Sequence, residues 1–149
     1  MACHLTETFT LHKQLATDTT FIKELDLCLV LLINDANYPW TVLVPKRAGA
    51  TDIYKLSQAD QTQLLKESEL LSKAMESVFN PDKLNVAAIG NIVPQLHIHH
   101  IARYKTDVAW PAPVWGFTKS IAYADDIKEK TVDTLTRTIH EIDGISLDL

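Results

Sequence analysis

Apolar and polar residues follow two different periods along the first half of the chain. Cys28 to Ile33 is a continuous run of β-branched residues, leucine and cysteine, which predicts a buried strand. Residues 34–39, Asn-Asp-Ala-Asn-Tyr-Pro, are typical of a turn. Thr41 to Pro45 predicts a second strand, so the two strands should form a hairpin. Residues 11–24 show no such clear pattern, and we expect a short helix or an irregular segment there.

A helical period replaces the strand pattern from Ser57 to Phe79. Ser57 followed by Asp60 resembles a helix N-cap, and residues 80–82, Asn-Pro-Asp, should end the helix. One apolar stripe recurs at roughly helical spacing and should face the core. Its members are Leu64, Leu65, Leu71, Met75 and Phe79.

The second half of the chain predicts two further strands and a second helix. The strands are Leu84 to Ile89 and Gln95 to Arg103, with a turn at Gly90-Asn91 between them. The helix is Asp125 to Ile142, and Ile127, Leu135, Ile139 and Ile142 should face inward. Strands, then a helix, then strands favour an α+β fold: a mostly antiparallel sheet with one long helix packed on it and a C-terminal helical extension.

Length and charge narrow the range of functions. A chain of 149 residues favours a single domain spanning 1–149. The net charge of −5 argues against a nucleic-acid polymer as partner, but it leaves room for a small phosphorylated ligand. The two cysteines, Cys3 and Cys28, suggest neither a disulfide framework nor a zinc knuckle. The N-terminus lacks signal-peptide features and no apolar run is long enough for a bilayer, so we expect a cytoplasmic protein.

Three of the six histidines lie close together in the last predicted strand, residues 95–101, Gln-Leu-His-Ile-His-His-Ile. Side chains alternate between the two faces of a strand, with alternate positions ~7 Å apart. Gln95, His97 and His99 should therefore share one face, while Leu96, Ile98 and His100 point to the other. A neutral imidazole can attack phosphorus with the lone pair of one ring nitrogen, and a flanking donor can stabilise the phosphoryl oxygens. Such chemistry requires no metal or other cofactor.

Two other interpretations of these histidines stay open on the residues alone. They could be hydrogen-bonded or exposed strand residues without a chemical role. They could also bind zinc, since His-x-His on a strand supplies two ligands. Zinc needs three or four ligands, however, and no Cys, Asp or Glu lies nearby in sequence.

Order and spacing of several motifs resemble the histidine triad (HIT) family, whose signature is His-φ-His-φ-His-φ-φ with φ apolar. His97 then takes the central position, His99 the third and Gln95 the first, and Arg103 falls at the arginine that usually follows. Residues 41–47, Thr-Val-Leu-Val-Pro-Lys-Arg, look like the family's Leu-Val-Ile-Pro-Lys-Arg strand end.

Upstream polar residues extend the resemblance to about residues 25–105. Asn85 and Gly90-Asn91 resemble the family's loop before the signature. Asn34-Asp35 lies where the family's ribose-binding acidic residue is expected. The resemblance implies a nucleotide-binding pocket built from these residues.

The resemblance also implies a reaction and an assembly. His97 would attack the α-phosphate of a nucleotide and form a nucleotidyl-histidine intermediate, with His99, Gln95 and Asn91 around the phosphate. The leaving group could be an amine, a nucleotide or a sugar phosphate. Family members usually form homodimers, with the long helix or the Trp110–Trp115 loop as candidate interface here. That loop could instead cover the base or pack on the body of the protein.

Departures from the family pattern leave a second class of function open. Gln95 replaces the first histidine and cannot act as an acid or base. Trp40 stands where many members carry another histidine near the active site. A non-catalytic nucleotide-binding module is therefore the main alternative to a hydrolase or nucleotidyl transferase, and a histidine-based metal-binding protein is a third.

Overall fold

A five-stranded antiparallel sheet forms the centre of the computed structural model, which describes residues 8–146. Its strands are β1 (Thr19–Glu24), β2 (Cys28–Ile33), β3 (Trp40–Pro45), β4 (Lys83–Ala88) and β5 (Ile98–Arg103). They are arranged in the order β1-β2-β3-β5-β4, so β5 lies between β3 and β4. All six residues of β5 are buried, which makes it the best protected strand of the sheet.

Three α-helices and one short 3-10 turn complete the fold. They are α1 (Lys13–Asp18), the turn Ile53–Lys55, α2 (Gln58–Phe79) and α3 (Asp125–Ser146). The Ser57 side chain accepts a hydrogen bond from the Asp60 backbone N–H and so caps α2, as its sequence predicts. Asn80 ends α2 in the left-handed conformation, with φ of 46°.

Two layers cover the two faces of the sheet. Helices α2 and α3 bury one face, where Leu71, Met75, Leu135 and Ile139 pack against the strands. The other face is covered by the segment that leads into α1 and by the loop that follows β5. The predicted α+β architecture with a C-terminal helix is thus confirmed.

Some details of the elements differ from the sequence prediction. Residues 19–24 form an edge strand that pairs with β2. An irregularity between Phe21 and Lys23 interrupts this pairing. That irregularity breaks the strict alternation by which a strand is recognised. Leu65 on α2 and Ile127 on α3 are exposed to solvent, since each lies outside the arc of its helix that faces the sheet. Cys3 lies outside the described residues.

Candidate functional site

A cavity of about 740 Å³ opens on the sheet face opposite α2 and α3. This size is typical of sites for nucleotide-sized ligands. Residues of α1, the end of β2, β3, the loop after β4, the start of β5 and the loop after β5 line it. The polar and aromatic members used below are Asp18, Asn34, Asp35, Trp40, Asn91, His97, His99 and Trp115. A smaller cleft of about 370 Å³ also borders His97 and Gly90, on the side of residues 51–54.

His97 is held by a backbone carbonyl just before β5 begins. Its Nδ1 lies 2.7 Å from the carbonyl oxygen of Gln95. A carbonyl only accepts hydrogen bonds, so Nδ1 carries the proton and donates it. The lone pair is therefore on Nε2, which is the ring nitrogen left free for attack on a ligand. The side chain is almost buried, yet it lines both cavities.

His99 has the opposite tautomer, and an indole sets it. The Trp40 Nε1–H donates to His99 Nδ1 over 2.9 Å. Because Nδ1 accepts, the proton of neutral His99 is on Nε2. Burial, followed by the proximity of His97 and His100, lowers the pKa of His99 to about 3. The centroids of the His97 and His99 rings are 4.8 Å apart, so a nitrogen with a free lone pair and a neutral donor lie side by side.

His100 points to the other face of β5, as the alternation predicts. It is fully buried, and its Nε2 lies 2.7 Å from the Ser68 hydroxyl of α2. Its Nδ1 lies 3.1 Å from the Ile98 carbonyl, which accepts the Nδ1 proton. Nε2 therefore accepts from Ser68, and His100 ties the strand to the helix instead of contributing to the cavity. Leu96 and Ile98 lie in the same core layer.

Gln95 lies outside the cavity, contrary to the alternation argument. The strand begins only at Ile98, so Gln95 is not bound to the two-residue period of β5. Its side-chain amide donates to the Thr10 carbonyl over 2.9 Å and accepts from the His12 backbone N–H over 2.7 Å. Gln95 thus anchors the segment before α1 and contacts His97 through its main-chain carbonyl. No sequence pattern indicates either contact.

The loop between β4 and β5 brings Gly90 and Asn91 to the cavity. Gly90 has φ of 67°, and a Cβ there would lie 3.2 Å from the Val93 carbonyl oxygen. Glycine therefore allows the tight turn that brings the loop up to His97. Asn91 is exposed at the cavity wall, where its amide is available to a ligand. Asn85 lies in β4 away from the cavity and accepts a hydrogen bond from Arg103.

Asn34 and Asp35 line the far end of the cavity. The Asn34 side chain accepts from the Thr20 hydroxyl over 2.7 Å. Asp35 is nearly buried, and its Oδ1 accepts from the backbone N–H groups of Asn37 and Ile121. Asp35 therefore shapes the turn after β2 and fixes the chain just before α3. The structure brings both residues to the same cavity as His97.

Arg103 holds the wall of the cavity from behind. Its guanidinium forms a two-point ion pair with Asp107, at 2.8 and 3.1 Å, and also donates to the Ala112 carbonyl. Burial acts to raise the pKa of Asp107, but hydrogen bonds from Arg103 and backbone N–H groups keep it below its usual range. This buried pair fixes the loop that carries Trp115, whose ring centroid lies 5.1 Å from that of His99. Arg103 itself is not part of the lining.

Sequence reasoning missed two contributions to the cavity wall. The sequence presents Trp40 only as a replacement of a family histidine, whereas in the structure its indole donates a hydrogen bond to His99. Helix α1 provides Gln14, Thr17 and Asp18, although nothing in residues 11–24 marks them as site residues. The role of Trp40 could have been suspected from one feature, a tryptophan at the start of a predicted strand that could pair with the strand carrying the histidines.

The zinc interpretation lacks a third ligand. Within residues 8–146, no three His, Cys, Asp or Glu side chains lie close enough together to hold a metal ion. His97 and His99 adjoin one another, but His100 points to the opposite face of β5.

Among residues 8–146, no helix has the length and apolar character needed to cross a membrane.

Comparisons with known proteins agree with the geometry. A family model described as HIT domain matches residues 14–106. A histidine triad protein from Bradyrhizobium japonicum is 44% identical with a TM-score of 0.88, over 89% of this chain and 99% of that one. A histidine triad protein from Marinobacter aquaeolei is 45% identical with a TM-score of 0.88, over 91% and 99%.

A third solved structure, a histidine triad protein from Sinorhizobium meliloti, is 37% identical with a TM-score of 0.86, over 88% of this chain and 97% of that one. A search of curated proteins gave no match. The domain match covers more than half of the chain, and these relatives align with nearly its whole described length. The chain therefore belongs to the histidine triad (HIT) family.

Proposed function

We propose that this protein is a nucleotide hydrolase or nucleotidyl transferase that acts through a covalent intermediate on His97. The observation that carries the proposal is the hydrogen bond from His97 Nδ1 to the Gln95 carbonyl, which leaves the Nε2 lone pair free beside a cavity of nucleotide size. A nucleophile whose tautomer is already fixed needs no reorganisation before it attacks.

The proposed reaction has two steps. In the first, His97 Nε2 forms a bond to the α-phosphorus of a bound nucleotide, the bond to the leaving group breaks, and its electron pair departs with that group. The imidazole keeps its Nδ1 proton, so the nucleotidyl-imidazole carries a positive charge that the Gln95 carbonyl partly offsets. In the second, water attacks phosphorus, the phosphorus–nitrogen pair returns to Nε2, and the water proton is released with the nucleoside monophosphate.

Other residues of the cavity have binding roles in this proposal. His99 Nε2–H and the Asn91 amide donate to the phosphoryl oxygens. Asn34 and Asp35 meet the ribose at the other end of the cavity, and Trp115 packs beside the base or ribose. Gln95 and Arg103 act indirectly, Gln95 through its backbone carbonyl and Arg103 through the loop that it holds; Asn85 supports Arg103.

A non-catalytic nucleotide-binding module is the second candidate. The observation that favours it is the position of Gln95, whose side chain bonds Thr10 and His12, so that the described residues bring two imidazoles, and not three groups of a triad, to the cavity. Both candidates predict nucleotide binding, and only the first predicts a covalent adduct. We also propose a homodimer, as family membership suggests, and a cytoplasmic location stays a prediction.

Trapping the intermediate tests the proposal. Enzyme mixed with a labelled nucleotide substrate and quenched in base, where a phosphorus–nitrogen bond survives, should carry the label on His97 in peptide mass spectra. His97→Ala should lower turnover by about a thousandfold or more, because no other group replaces the attacking atom, while nucleotide affinity is largely retained. His140→Ala, at an exposed histidine of α3, is the matched control and should leave turnover unchanged. Persistent turnover by His97→Ala would exclude the covalent mechanism.

A further inference from the structure

The hydrogen bond between Trp40 and His99 fixes more than the position of a ring. Val42 pairs with His99 across β3 and β5, and Trp40 lies two residues before it on the same face. The indole and imidazole centroids are 5.6 Å apart, and Nε1 donates to Nδ1 over 2.9 Å. Trp115 also packs edge-on against His99, with ring centroids 5.1 Å apart, so two indole rings confine the imidazole.

An indole can donate a hydrogen bond in its plane but cannot accept one there. Protonation of His99 at Nδ1 would therefore place two N–H donors face to face in a nearly buried site. Unlike a histidine, tryptophan at this position cannot take up or pass on the proton. His99 thus offers its Nε2–H as a hydrogen-bond donor but is a poor source of a transferable proton.

The other groups described around His99 are also poor sources of a proton for a leaving group. His97 is the attacking group, and His100 faces the opposite side of β5. The carboxylates that line the cavity, Asp18 and Asp35, accept hydrogen bonds from Gln14 and from the turn after β2. Among the described residues, the cavity lining contains no lysine or arginine.

We propose that Trp40 is a specificity-determining positioning residue, which holds His99 as a neutral donor and so restricts turnover to nucleotides whose leaving group departs as an anion. The inference rests on the proposed function. A phosphate or nucleotide leaves with the bond electron pair as a stable anion, since its conjugate acid has a pKa of ~6 or below. An amine must receive a proton as the phosphorus–nitrogen bond breaks, and the described residues that line this site provide no donor for it. Nucleoside polyphosphates with a phosphate or nucleotide leaving group are therefore the preferred class, ahead of phosphoramidates.

The tautomer of His99 can be measured without any turnover. Long-range nitrogen–proton NMR correlation spectra should show His99 as the Nε2–H tautomer in the wild type, with no protonation between pH 5 and 8. Trp40→Phe removes the donor and keeps an aromatic ring, so His99 should become a mixture of tautomers with a raised pKa. Trp115→Phe is the matched control: its indole N–H has no hydrogen-bond partner among the described residues, so the His99 tautomer should not change. An Nδ1–H tautomer in the wild type would overturn the proposal.

Relative turnover tests the effect on leaving groups. The ratio of kcat/KM for a dinucleoside triphosphate to that for a nucleoside phosphoramidate should exceed about a hundredfold, the usual worth of a missing general acid. Trp40→His, which restores a group able to exchange protons with His99, should reduce that ratio at least tenfold. Equal kcat/KM ratios in the wild type and Trp40→His, or a wild type that prefers the phosphoramidate, would refute the proposed role of Trp40. Failure of the proposed function would look different: no His97 adduct and no turnover of either probe, with the NMR result still deciding the role of Trp40.

Discussion

At the scale of single residues, two adjacent histidines in β5 are both kept neutral, for different purposes. His99 accepts from Trp40 on the cavity side, and His100 accepts from Ser68 on the core side. Burial is the main cause in both cases, and it lowers the pKa of His99 to about 3 and of His100 to about 4. The ordinary value for histidine in an unfolded chain is ~6.5.

The gap between the ordinary histidine pKa and the lowered pKa values of His99 and His100 predicts a loss of stability on acidification. Between the ordinary histidine pKa and the lowered values, the unfolded chain binds protons that the native protein excludes, so the free energy of unfolding falls as pH falls. Stability should be fully present above about pH 6.5 and should decline from there towards pH 4. Urea unfolding at a series of pH values measures it.

A double variant provides the control for this pH effect. Ser68→Ala with His100→Leu replaces both partners of one buried hydrogen bond by apolar groups of similar size, which avoids an unpaired donor. The decline between pH 6.5 and 4 should become shallower, because one of the two titrating groups is gone. An unchanged slope would mean that other groups cause the acid sensitivity.

Predicting the site from sequence succeeded where a side chain depends on strand alternation and failed where it depends on a tertiary contact. His97 and His99 lie together in the cavity and His100 behind them, as the period of two requires. Gln95 departs because the strand begins after it and the N-terminal segment binds its amide. Trp40 can donate to His99 only because β3 pairs with β5, and the hydrophobic pattern of the sequence does not indicate which strands are neighbours in the sheet.

At the scale of elements, a buried ion pair connects β5 to the loop that closes the cavity. Arg103 and Asp107 have side chains only 2% and 5% exposed, and the carboxylate also accepts from the backbone N–H groups of Tyr104, Ala109 and Trp110. The sequence marked Arg103 as a family position, but its partner could not be read from spacing alone. The elements themselves were mostly predictable; β1 was missed because its ladder is irregular.

Removing this pair should loosen the loop and weaken ligand binding together. Arg103→Lys keeps the charge but cannot make the two-point contact with Asp107 and the bond to Ala112. Removing one partner of a buried pair outright costs about 3–5 kcal/mol; because lysine keeps the charge, we expect a smaller fall in the free energy of unfolding, about 1–3 kcal/mol, from the lost hydrogen bonds. Nucleotide affinity should fall as well, because Trp115 is no longer fixed beside His99.

The chain provides a matched control in a second two-point arginine–aspartate pair. Arg47 contacts Asp60 at 2.7 and 3.0 Å, but its side chain is 48% exposed. Arg47→Lys should therefore change the free energy of unfolding by less than about 1 kcal/mol. Thermal or urea denaturation and nucleotide titration of both variants give the comparison. Equal losses in the free energy of unfolding of Arg103→Lys and Arg47→Lys would show that burial does not strengthen the contribution of the Arg103 pair to stability.

At the scale of the whole molecule, the two edges of the sheet differ. Strand β1 carries an irregularity between Phe21 and Lys23 and a charged end, features that hinder pairing with another strand. Strand β4 pairs in continuous register with β5, and exposed apolar residues lie in β4 and in the loop after it, where Ile89 and Ile92 also line the cavity. Val86, Ile89 and Ile92 are 50%, 44% and 94% exposed. If the protein forms a homodimer, β4 is the better candidate interface, ahead of the long helix or the tryptophan loop.

Variants on the two edges distinguish these possibilities. Val86→Lys puts a charge on the exposed side of β4 and should shift the protein from dimer to monomer by at least tenfold in dissociation constant. Phe21→Lys makes the same change on β1, where the residue is 57% exposed, and should leave the dimer intact. Light scattering over a range of protein concentrations reports both. A wild-type monomer at micromolar concentration would contradict the dimer, and dissociation by Phe21→Lys would move the interface to β1.

The burial of β5 on both faces has a consequence for how the site moves. Its backbone is paired with β3 on one side and β4 on the other, and its side chains support the cavity and the helical core in turn. Fluctuations that free such a strand require most of the molecule to open. Apart from the loop that Arg103 and Asp107 hold, the chain around the cavity can adjust without opening the sheet, whereas His99 stays in place for as long as the native fold persists. Ligand affinity and the lifetime of the folded state are therefore linked through one strand: a nucleotide bound there would slow the opening of the entire sheet.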